Sequence, residues 1–212
     1  MMTRDPPKPT KGNGLPHGWF TIPGVQTGER DIRERVTPLY PLLKFSKGAT
    51  VLDLGCAEGC IGKWLVDEGG AAFVHGIEKH EPWLEVARQQ MPAPKYNAKF
   101  SQCDLDYWNA KYRDLGLLQH YDIVLALNVA QKLWAPKHFL HSVAKLSSNI
   151  FVYSGPSPVL QDVRSGNIPI DIVKEFETEF ELIAQDAGTP NTKKGHLGVR
   201  LIFKRKKKRV RK

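Results

Sequence analysis

The sequence lacks the long apolar segments that membrane insertion or secretion would require. No apolar run approaches the roughly 18 to 20 residues of a membrane-spanning helix, and the polar, proline-rich N-terminus has no apolar segment of secretory type. Cysteine is scarce. The three cysteines, Cys56, Cys60 and Cys103, are an odd number and predict reduced thiols in a cytoplasmic protein rather than a disulfide framework. Cys56 and Cys60 lack the second cysteine or histidine pair of a zinc site, so no metal is predicted.

Acidic residues are absent from the end of the chain. Residues 204–212 carry eight positive charges and no acid, and the whole sequence has a net charge of +9. The rest of the chain therefore has a net charge of only +1. A block of like charges repels itself, which predicts a tail that is disordered beyond its first residues. Such a tail could anchor RNA through its phosphates, or it could serve only solubility or targeting.

The length of 212 residues and the hydrophobic content of 41% fit one domain with a full-sized core. Composition divides the chain into a flexible arm rich in proline and glycine, a lead-in segment, a domain of alternating strands and helices, and the basic tail. The respective boundaries are 1–18, 19–46, 47–203 and 204–212. The lead-in carries a helical pattern over 29–43 that Pro38 and Pro41 should split.

The alternation of strand and helix patterns predicts an α/β fold. We expect a doubly wound, Rossmann-like mixed sheet of seven strands, closed by an antiparallel hairpin. The predicted strands are 49–54, 71–77, 98–102, 121–127, 150–153, 180–185 and 198–203. Helices are predicted at 59–68, at 81–90, at 107–115 with Asp106 as its cap, from 136 onward, and at 168–177.

One stretch of the domain has the arrangement that seats a nucleoside cofactor. The strand-like run before Gly55 breaks into a glycine-bearing turn, a helix follows, and the next strand ends at Glu78, nineteen residues after Gly59. Glycines allow a ligand to approach the backbone closely. An acid at the tip of the second strand can accept hydrogen bonds from both ribose hydroxyls.

The motifs in this domain resemble those of class I S-adenosylmethionine-dependent methyltransferases. The residues that carry the resemblance are Val51-Leu-Asp-Leu-Gly-Cys-Ala-Glu-Gly59, then Gly76-Ile-Glu78, Cys103-Asp-Leu105 and Tyr121-Asp-Ile-Val-Leu125. The closing hairpin is also characteristic of that fold. Ala57 departs from the pattern, because glycine is usual at its position.

The resemblance implies that residues 47–203 form a domain that binds S-adenosylmethionine and leaves S-adenosylhomocysteine as the product. It assigns the methionine amino group to Asp53, the ribose hydroxyls to Glu78 and the adenine amino group to Asp104. Other cofactor contacts are expected from residues in the turn, beside the adenine and at the exit of the fourth strand. They are Gly55, Cys56, Ala57, Gly59, Lys79, His80, Cys103, Asn128 and Val129.

The main alternative is a nicotinamide or flavin dinucleotide site. That site needs Gly-x-Gly-x-x-Gly, whereas this chain has Gly55, Ala57 and Gly59, with Cys60 at the place of the last glycine. Asp53 is a poor neighbour for a pyrophosphate and a good one for a sulfonium and an ammonium group. The spacing and the charge both favour S-adenosylmethionine.

The methyl acceptor is less constrained by the sequence. Asn128 stands where a substrate-facing residue is expected and is the candidate catalytic residue, although its surroundings match no specific acceptor loop. The basic tail favours RNA or a nucleotide-linked acceptor. A small molecule, a lipid, a protein and a module that binds without turnover stay open. The lead-in is interpreted either as a lid over the cofactor or as a strap packed on the sheet.

Overall fold

The computed structural model describes residues 18–22, 25–26, 28–162, 168–186 and 198–207. The predicted arm up to residue 17, the hairpin tip 187–197 and tail residues 208–212 lie outside the described residues. The strands are β1 (Gly18–Phe20), β2 (Gly28–Arg30), β3 (Thr50–Leu54), β4 (Phe73–Glu78), β5 (Ala98–Gln102), β6 (Tyr121–Leu127), β7 (Ser147–Gly155), β8 (Val159–Asp162), β9 (Ile168–Asp171), β10 (Phe180–Asp186) and β11 (Val199–Arg205). The α-helices are α1 (Ile32–Val36), α2 (Leu43–Ser46), α3 (Cys60–Asp67), α4 (Glu81–Gln90), α5 (Trp108–Lys111), α6 (Pro136–Ala144) and α7 (Ile172–Phe176).

Seven strands form one mixed sheet in the order β10-β11-β7-β6-β3-β4-β5. The pairs among β3, β4, β5, β6 and β7 are parallel, and β11 runs antiparallel to both β7 and β10. This arrangement confirms the predicted doubly wound, seven-stranded sheet with its closing hairpin. Helices cover both faces because the central strands are apolar on both sides, and each face carries its own core cluster.

The chain turns in opposite directions on the two sides of β3. From β3 it proceeds to β4 on one side, and β6 pairs on the other. Ligands of such sheets bind outside the carboxyl ends of the strands at this switch point. We call the side where β3, β4, β6 and β7 end at Leu54, Glu78, Leu127 and Gly155 the carboxyl edge, and the opposite side the amino edge.

The predicted helix in the lead-in is split, as its prolines require. Helix α1 ends at Val36, the segment Thr37–Leu42 is a 3₁₀ helix, and α2 follows. Pro41 lies inside the 3₁₀ segment and has no N–H to donate, so a regular α-helix cannot continue through it.

Two predictions of local structure were wrong. The helix predicted over 168–177 begins only at Ile172, since residues Ile168–Asp171 form β9, which pairs with β8. Pro169 explains the difference, because the residue before a proline avoids the α conformation.

The second correction concerns the segment after β5. Asp106 does not cap it; the cap is Asp104, whose side chain accepts from Asp106 N. The segment itself is Leu105–Tyr107 in 3₁₀ form, then α5, then a 3₁₀ turn at Tyr112–Leu115. Asp106 Oδ1 instead accepts from Trp134 N at 2.8 Å and so ties two loops together.

The last strand is longer than predicted. Strand β11 ends at Arg205, and Lys206 N donates to the Glu179 carbonyl at 2.9 Å. The first residues of the predicted disordered tail therefore belong to the sheet. None of the helices in the described part of the chain is long and apolar enough to cross a membrane.

Candidate cofactor-binding site

A tight turn joins β3 to α3 and is anchored to the neighbouring strand. The backbone N–H groups of Gly55 and Cys56 both donate to the Ile77 carbonyl, at 2.7 and 3.1 Å, and Gly59 N donates to the Cys56 carbonyl at 2.9 Å. Gly55 and Gly59 have φ values of +73° and +76°, which favour glycine. Ala57 also lies in the left-handed region, with φ of 48°, where alanine is strained. The sequence pattern of glycines therefore marks a turn whose backbone requires them.

Gly55 also allows the exit of β6 to approach the turn. A Cβ atom at Gly55 would lie 2.2 Å from Val129 Cγ1. Asn128, just before Val129, has φ of 57°, and its N–H donates to the Ser154 carbonyl at 2.8 Å. Asparagine is one of the few residues that adopt this conformation readily. The predicted residues Gly55, Asn128 and Val129 are thus brought together at the carboxyl edge.

Asp53 is the most unusual charged residue at this edge. Its side chain is 2% exposed, and Oδ2 has no hydrogen-bond partner among the described residues. Burial raises the pKa of Asp53 to about 7, and the Glu78 carboxylate adds to the rise. An unpartnered buried carboxylate is unfavourable unless a ligand supplies a cation. The position therefore fits an ammonium group.

Glu78 closes the end of β4 against the turn. Its Oε1 accepts from Lys79 N at 2.7 Å and from His80 N at 3.1 Å, while Oε2 accepts from Ala57 N at 3.3 Å. A carboxylate offers about four acceptor positions, so one remains for a ligand hydroxyl. Glu78 is consequently both a brace for the turn and a group able to accept from a ribose.

Comparison with known proteins decides between the cofactors considered above. A family model described as a methyltransferase domain matches residues 45–197, well over half of the chain. This chain belongs to the methyltransferase family. Its cofactor is S-adenosylmethionine, and the orphaned Asp53 Oδ2 fits the cationic methionine end of that molecule.

Solved structures share the fold of this methyltransferase domain at low sequence identity. The S-adenosylmethionine-dependent methyltransferase of Mesorhizobium loti is 16% identical, with 81% of this chain and 100% of that chain covered and a TM-score of 0.58. The PH0226 protein of Pyrococcus horikoshii is 19% identical, covers 84% and 92%, and has a TM-score of 0.57. SMU.776, in complex with SAH, is 14% identical, covers 85% and 52%, and has a TM-score of 0.58. A search of curated protein sequences finds no match.

The predicted adenine-side residues of the methyltransferase domain cluster after β4 and β5. Cys103 N donates to the Glu78 carbonyl at 2.9 Å. Asp104 Oδ1 accepts from Asp106 N at 3.1 Å, and Oδ2 lies 3.8 Å from Lys79 Nζ. Lys79 therefore pairs with Asp104. These contacts occupy part of the acceptor capacity of the Asp104 carboxylate. Asp104 follows β5, the strand that pairs with β4 and with its last residue, Glu78.

The cysteines of the domain pack as small buried side chains. All three are free and buried. Burial raises the pKa of Cys56 well above its ordinary range and raises the pKa of Cys60 to about 12, so both thiols stay protonated. Among the described residues, no group of three histidine, cysteine, aspartate or glutamate side chains could hold a metal ion.

The lead-in of the methyltransferase reaches the cofactor turn. Gln26 Nε2 donates to Glu58 Oε1 at 2.9 Å, with both side chains buried. Gln90 Nε2 donates to the Glu58 carbonyl at 2.5 Å. This contact between distant segments was not predicted, since nothing in the local sequence pairs Gln26 with Glu58. The lid role of the lead-in stays a prediction.

Sequence reasoning also missed two polar residues at the carboxyl edge. Gln131 Oε1 and two nitrogens of Arg200 are buried without hydrogen-bond partners in the part of the chain that the structure describes. Arg200 had a visible signal, because it interrupts the apolar strand from Val199 to Phe203. A charged residue inside such a run requires an explanation.

Proposed function

We propose that this methyltransferase transfers a methyl group from S-adenosylmethionine to RNA or to a nucleotide-linked acceptor. The observation that carries the transferase assignment is the pair of buried carboxylates at the carboxyl edge. One of them, Asp53, has an oxygen without a partner among the described residues. The acceptor class depends on separate observations given below.

The two carboxylates hold opposite parts of the cofactor. Asp53 binds the methionine ammonium, which replaces the counter-charge that the buried site lacks. Glu78 accepts from a ribose hydroxyl with its remaining acceptor position, while it keeps the turn in place through Ala57 N. Gly55, Cys56, Ala57 and Gly59 form the turn over which the methionine and sugar lie.

The adenine end lies against residues after β4 and β5. Asp104 accepts from the adenine amino group, with the Cys103 backbone alongside. Lys79 and His80 flank the ring. The His80 ring packs on Trp83 with the centroids 4.7 Å apart, which supports a preformed aromatic wall at this place.

Alignment is the main catalytic requirement. When bound, S-adenosylmethionine supplies an electrophilic methyl group with a good leaving group. The chain has to fix the geometry and exclude water around it. Val129 packs against Gly55, and Asn128 is held in a fixed left-handed conformation, so both are positioned to shape the acceptor side. Asn128 is the residue proposed to face the acceptor.

Two features support an RNA acceptor. Residues 206–212 carry six positive charges beyond the end of β11 at the amino edge and supply charge for phosphates that lie outside the methyl-transfer site. Tyr107 and Trp134 are 46% and 61% exposed and lie on the two loops that Asp106 joins at the carboxyl edge. Exposed aromatic side chains beside a methyl-transfer site suit stacking of unpaired bases.

Transfer of labelled methyl groups tests the proposal. The protein is incubated with labelled S-adenosylmethionine and a cell extract separated into RNA, protein, lipid and metabolite fractions. We expect label in RNA with the wild-type protein and none with Asp53→Asn. Label confined to another fraction would contradict the RNA acceptor. Cofactor binding without label in any fraction would indicate a module that binds without turnover.

Two variants test the acceptor surface. Trp134→Ala should lower labelling of RNA about tenfold, because stacking contributes about 1–3 kcal/mol per base. A truncation after Lys207 tests the basic segment and spares Arg205 and Lys206, which bind the sheet. It should weaken RNA binding in a salt-dependent way. The matched control for Trp134→Ala is Leu118→Ala, which also replaces an exposed apolar residue. It should change neither the labelling of RNA nor the binding of RNA.

A further inference from the structure

Arg200 is a buried arginine within the closing hairpin. Its side chain is almost completely buried, and the residue is 3% exposed in a strand that is otherwise apolar up to Phe203. Arginine is rarely buried unless its donors are paired. The guanidinium has five donors in a fixed plane. If Arg200 had a structural role, its donors should be hydrogen-bonded to other residues of the fold.

Those partners are incomplete. The nearest counter-charge is Asp186, whose Oδ2 lies 3.9 Å from Nη1 and is half exposed on the outermost strand. That distance is too long for a hydrogen bond. Nε and Nη1 have no hydrogen-bond partner among the described residues. Burial lowers the pKa of the Arg200 guanidinium and Asp186 opposes this, but a guanidinium remains charged at neutral pH.

A second arginine in the same strand, Arg205, has a hydrogen-bond partner for each of its three side-chain nitrogens. Arg205 Nε donates to the Ser147 carbonyl at 2.7 Å, Nη2 to the Ala144 carbonyl at 2.8 Å and Nη1 to Glu179 Oε2 at 2.9 Å. Its guanidinium also lies over the Phe180 ring at 4.3 Å. Arg205 joins the elements around it, whereas two nitrogens of Arg200 have no hydrogen-bond partner in the part of the chain that the structure describes.

The sheet register places Arg200 on the cofactor side. Arg200 pairs with Ser154, which pairs with Leu127. Leu127 lies two residues beyond Leu125, the partner of Asp53. Directly paired residues, and alternate residues of one strand, share a face of a sheet. Arg200 and Asp53 are therefore on the same face, about three strand spacings or roughly 14 Å apart across the sheet.

Arg200 also lies beyond the exit of β6 as seen from Asp53. Asn128 N donates to the carbonyl of Ser154, the residue that pairs with Arg200. The order across the carboxyl edge is thus the ammonium-binding carboxylate, the β6 exit and then the buried guanidinium. An acceptor that presents its nucleophile near Asn128 would extend its other end toward Arg200.

We propose that Arg200 binds an oxyanion of the methyl acceptor, a phosphate or a carboxylate, and so selects acceptors that carry one. The inference rests on the proposed function for the identity of the bound molecule. The Nε–H and Nη1–H groups, which have no partner among the described residues, lie on different edges of the guanidinium, and each can donate a charge-assisted hydrogen bond to an oxygen of either anion. A phosphate would come from a nucleotide-linked acceptor, and a carboxylate from an acidic small molecule.

Nuclear magnetic resonance of the arginine side chains tests binding directly. The wild-type protein is ¹⁵N-labelled, saturated with S-adenosylhomocysteine and titrated with sodium phosphate, sodium acetate or sodium chloride. The Arg200 Nε–H signal is identified by its loss in Arg200→Met. We expect it to move with phosphate or acetate and not with chloride. Larger movement with phosphate favours a nucleotide source, and larger movement with acetate a carboxylate. No movement with either would overturn the proposal.

Stability separates a binding role from a structural one. Replacement of a buried charge with incomplete partners by an apolar residue is often neutral or stabilising. Arg200→Met should therefore leave the melting temperature unchanged or raise it, whereas Arg205→Met should lower it. A decrease for Arg200→Met equal to that for Arg205→Met would assign Arg200 to the sheet and contradict the proposal.

Methyl transfer completes the test. Arg200→Met should lower labelling of the acceptor fraction at least tenfold while the Kd for S-adenosylhomocysteine is unchanged. The matched control Arg113→Met replaces an exposed arginine that donates to Tyr112 OH and lies over the Tyr112 ring, and it should retain full labelling. If S-adenosylhomocysteine fails to bind the wild-type protein, the proposed function fails. If it binds and Arg200→Met labels like the wild type, only the role of Arg200 fails.

Discussion

The polar groups at the two edges of the seven-stranded sheet differ in how many of their hydrogen-bonding atoms have partners among the described residues. At the amino edge, Asp122 accepts from Thr50 N and Oγ1 at 2.9 and 3.0 Å and from Ser148 Oγ at 3.3 Å. Arg205 uses its donors on two carbonyls and a carboxylate. Ser147 Oγ is the exception among the described residues there. Asp122 and Arg205 therefore stabilise the fold through their hydrogen bonds at the amino edge.

The carboxyl edge shows the opposite arrangement. Asp53 Oδ2, Gln131 Oε1 and two nitrogens of Arg200 lack hydrogen-bond partners in the described part of the chain. Ala57 and Asn128 also adopt left-handed backbone conformations at this edge. Such features are unfavourable for folding alone and are typical of sites completed by a ligand. The contrast indicates where stability has been exchanged for binding.

The largest expected effect is that of Asp53→Asn. Loss of a buried charge that binds an ammonium should weaken S-adenosylhomocysteine binding by about 100-fold, since such losses are about 2–5 kcal/mol. Calorimetry measures this change. Asp122→Asn is the matched control at the amino edge. It should destabilise the protein while the affinity stays unchanged.

Asp53→Asn should also stabilise the ligand-free protein at alkaline pH. The pKa of Asp53 is raised to about 7 in the folded protein and is about 3.9 when unfolded. Stability is therefore lost as the pH rises from about 3.9 to about 7, where the unfolded chain ionises this carboxyl and the folded protein keeps it protonated. Above that pH the variant should be more stable by up to about 4 kcal/mol, measured by urea unfolding. If the variant were less stable than the wild type at pH 8, the proposed difference between the two edges would be contradicted.

His75 provides the corresponding test of a fully hydrogen-bonded group. Its ring nitrogens contact Tyr121 OH at 3.0 Å and Ser101 Oγ at 2.9 Å. Burial, with a smaller effect of Lys99, lowers the pKa of His75 to about 4. The unfolded chain takes up this proton near pH 6.5, so stability should fall by about 3 kcal/mol as the pH drops from 6.5 to 4.

His75→Phe should remove this part of the acid destabilisation and leave the affinity for S-adenosylhomocysteine unchanged. Urea unfolding between pH 4 and 7 measures the first effect, and calorimetry at pH 8 the second. The variant should also lose about 1–3 kcal/mol at neutral pH, because Tyr121 and Ser101 are left without the histidine. If the stability of the variant fell as steeply with decreasing pH as that of the wild type, the assignment of this pH dependence to His75 would be contradicted.

A smaller effect is expected from Gly55→Ala. The new methyl would lie 2.2 Å from Val129 Cγ1, and the φ of +73° disfavours alanine. We expect a loss of about 2 kcal/mol of stability with weaker cofactor binding. Adding Val129→Ala should restore the steric part of the loss and not the backbone part. Full additivity of the two substitutions would show that they do not touch.

The smallest effect is expected from Ala57→Gly. Glycine relieves the left-handed strain but gains entropy in the unfolded chain, so a net stabilisation of about 0.5–1 kcal/mol is expected. Thermal unfolding measures it. A loss of similar size would mean that Ala57 is not strained in solution.

The sequence was sufficient to predict the features of the fold and the site that depend on the order of strands and turns along the chain. The sequence predicted all seven strands of the main sheet, and the signal was clearest for the central parallel strands, which need apolar residues on both faces. Gly55, Asp53 and Glu78 were placed correctly at one edge, because successive parallel strands end on the same side. These are consequences of local pattern and topology.

The parts that depend on register or on competing local bonds could not be predicted. Arg200 faces the cofactor side only because of how β11 pairs with β7. Asp104 and Asp106 are both good caps, and the hydrogen bond of Asp106 to Trp134 N decides between them. The start of the helix at Ile172 depended on two competing local signals. Pro169 disfavoured a helix before it, whereas the apolar pattern around Pro169 favoured one.

The central claim is that the Asp53 carboxylate binds the cofactor ammonium, and the pH dependence of binding tests it most directly. Calorimetry with S-adenosylhomocysteine should give an affinity that rises about tenfold per pH unit up to about pH 7 and is then level. Below that pH the ligand must displace the proton held by Asp53. Asp53→Asn should bind weakly with no such slope. A flat profile for the wild-type protein between pH 5 and 8, or the same slope in the variant, would contradict the claim.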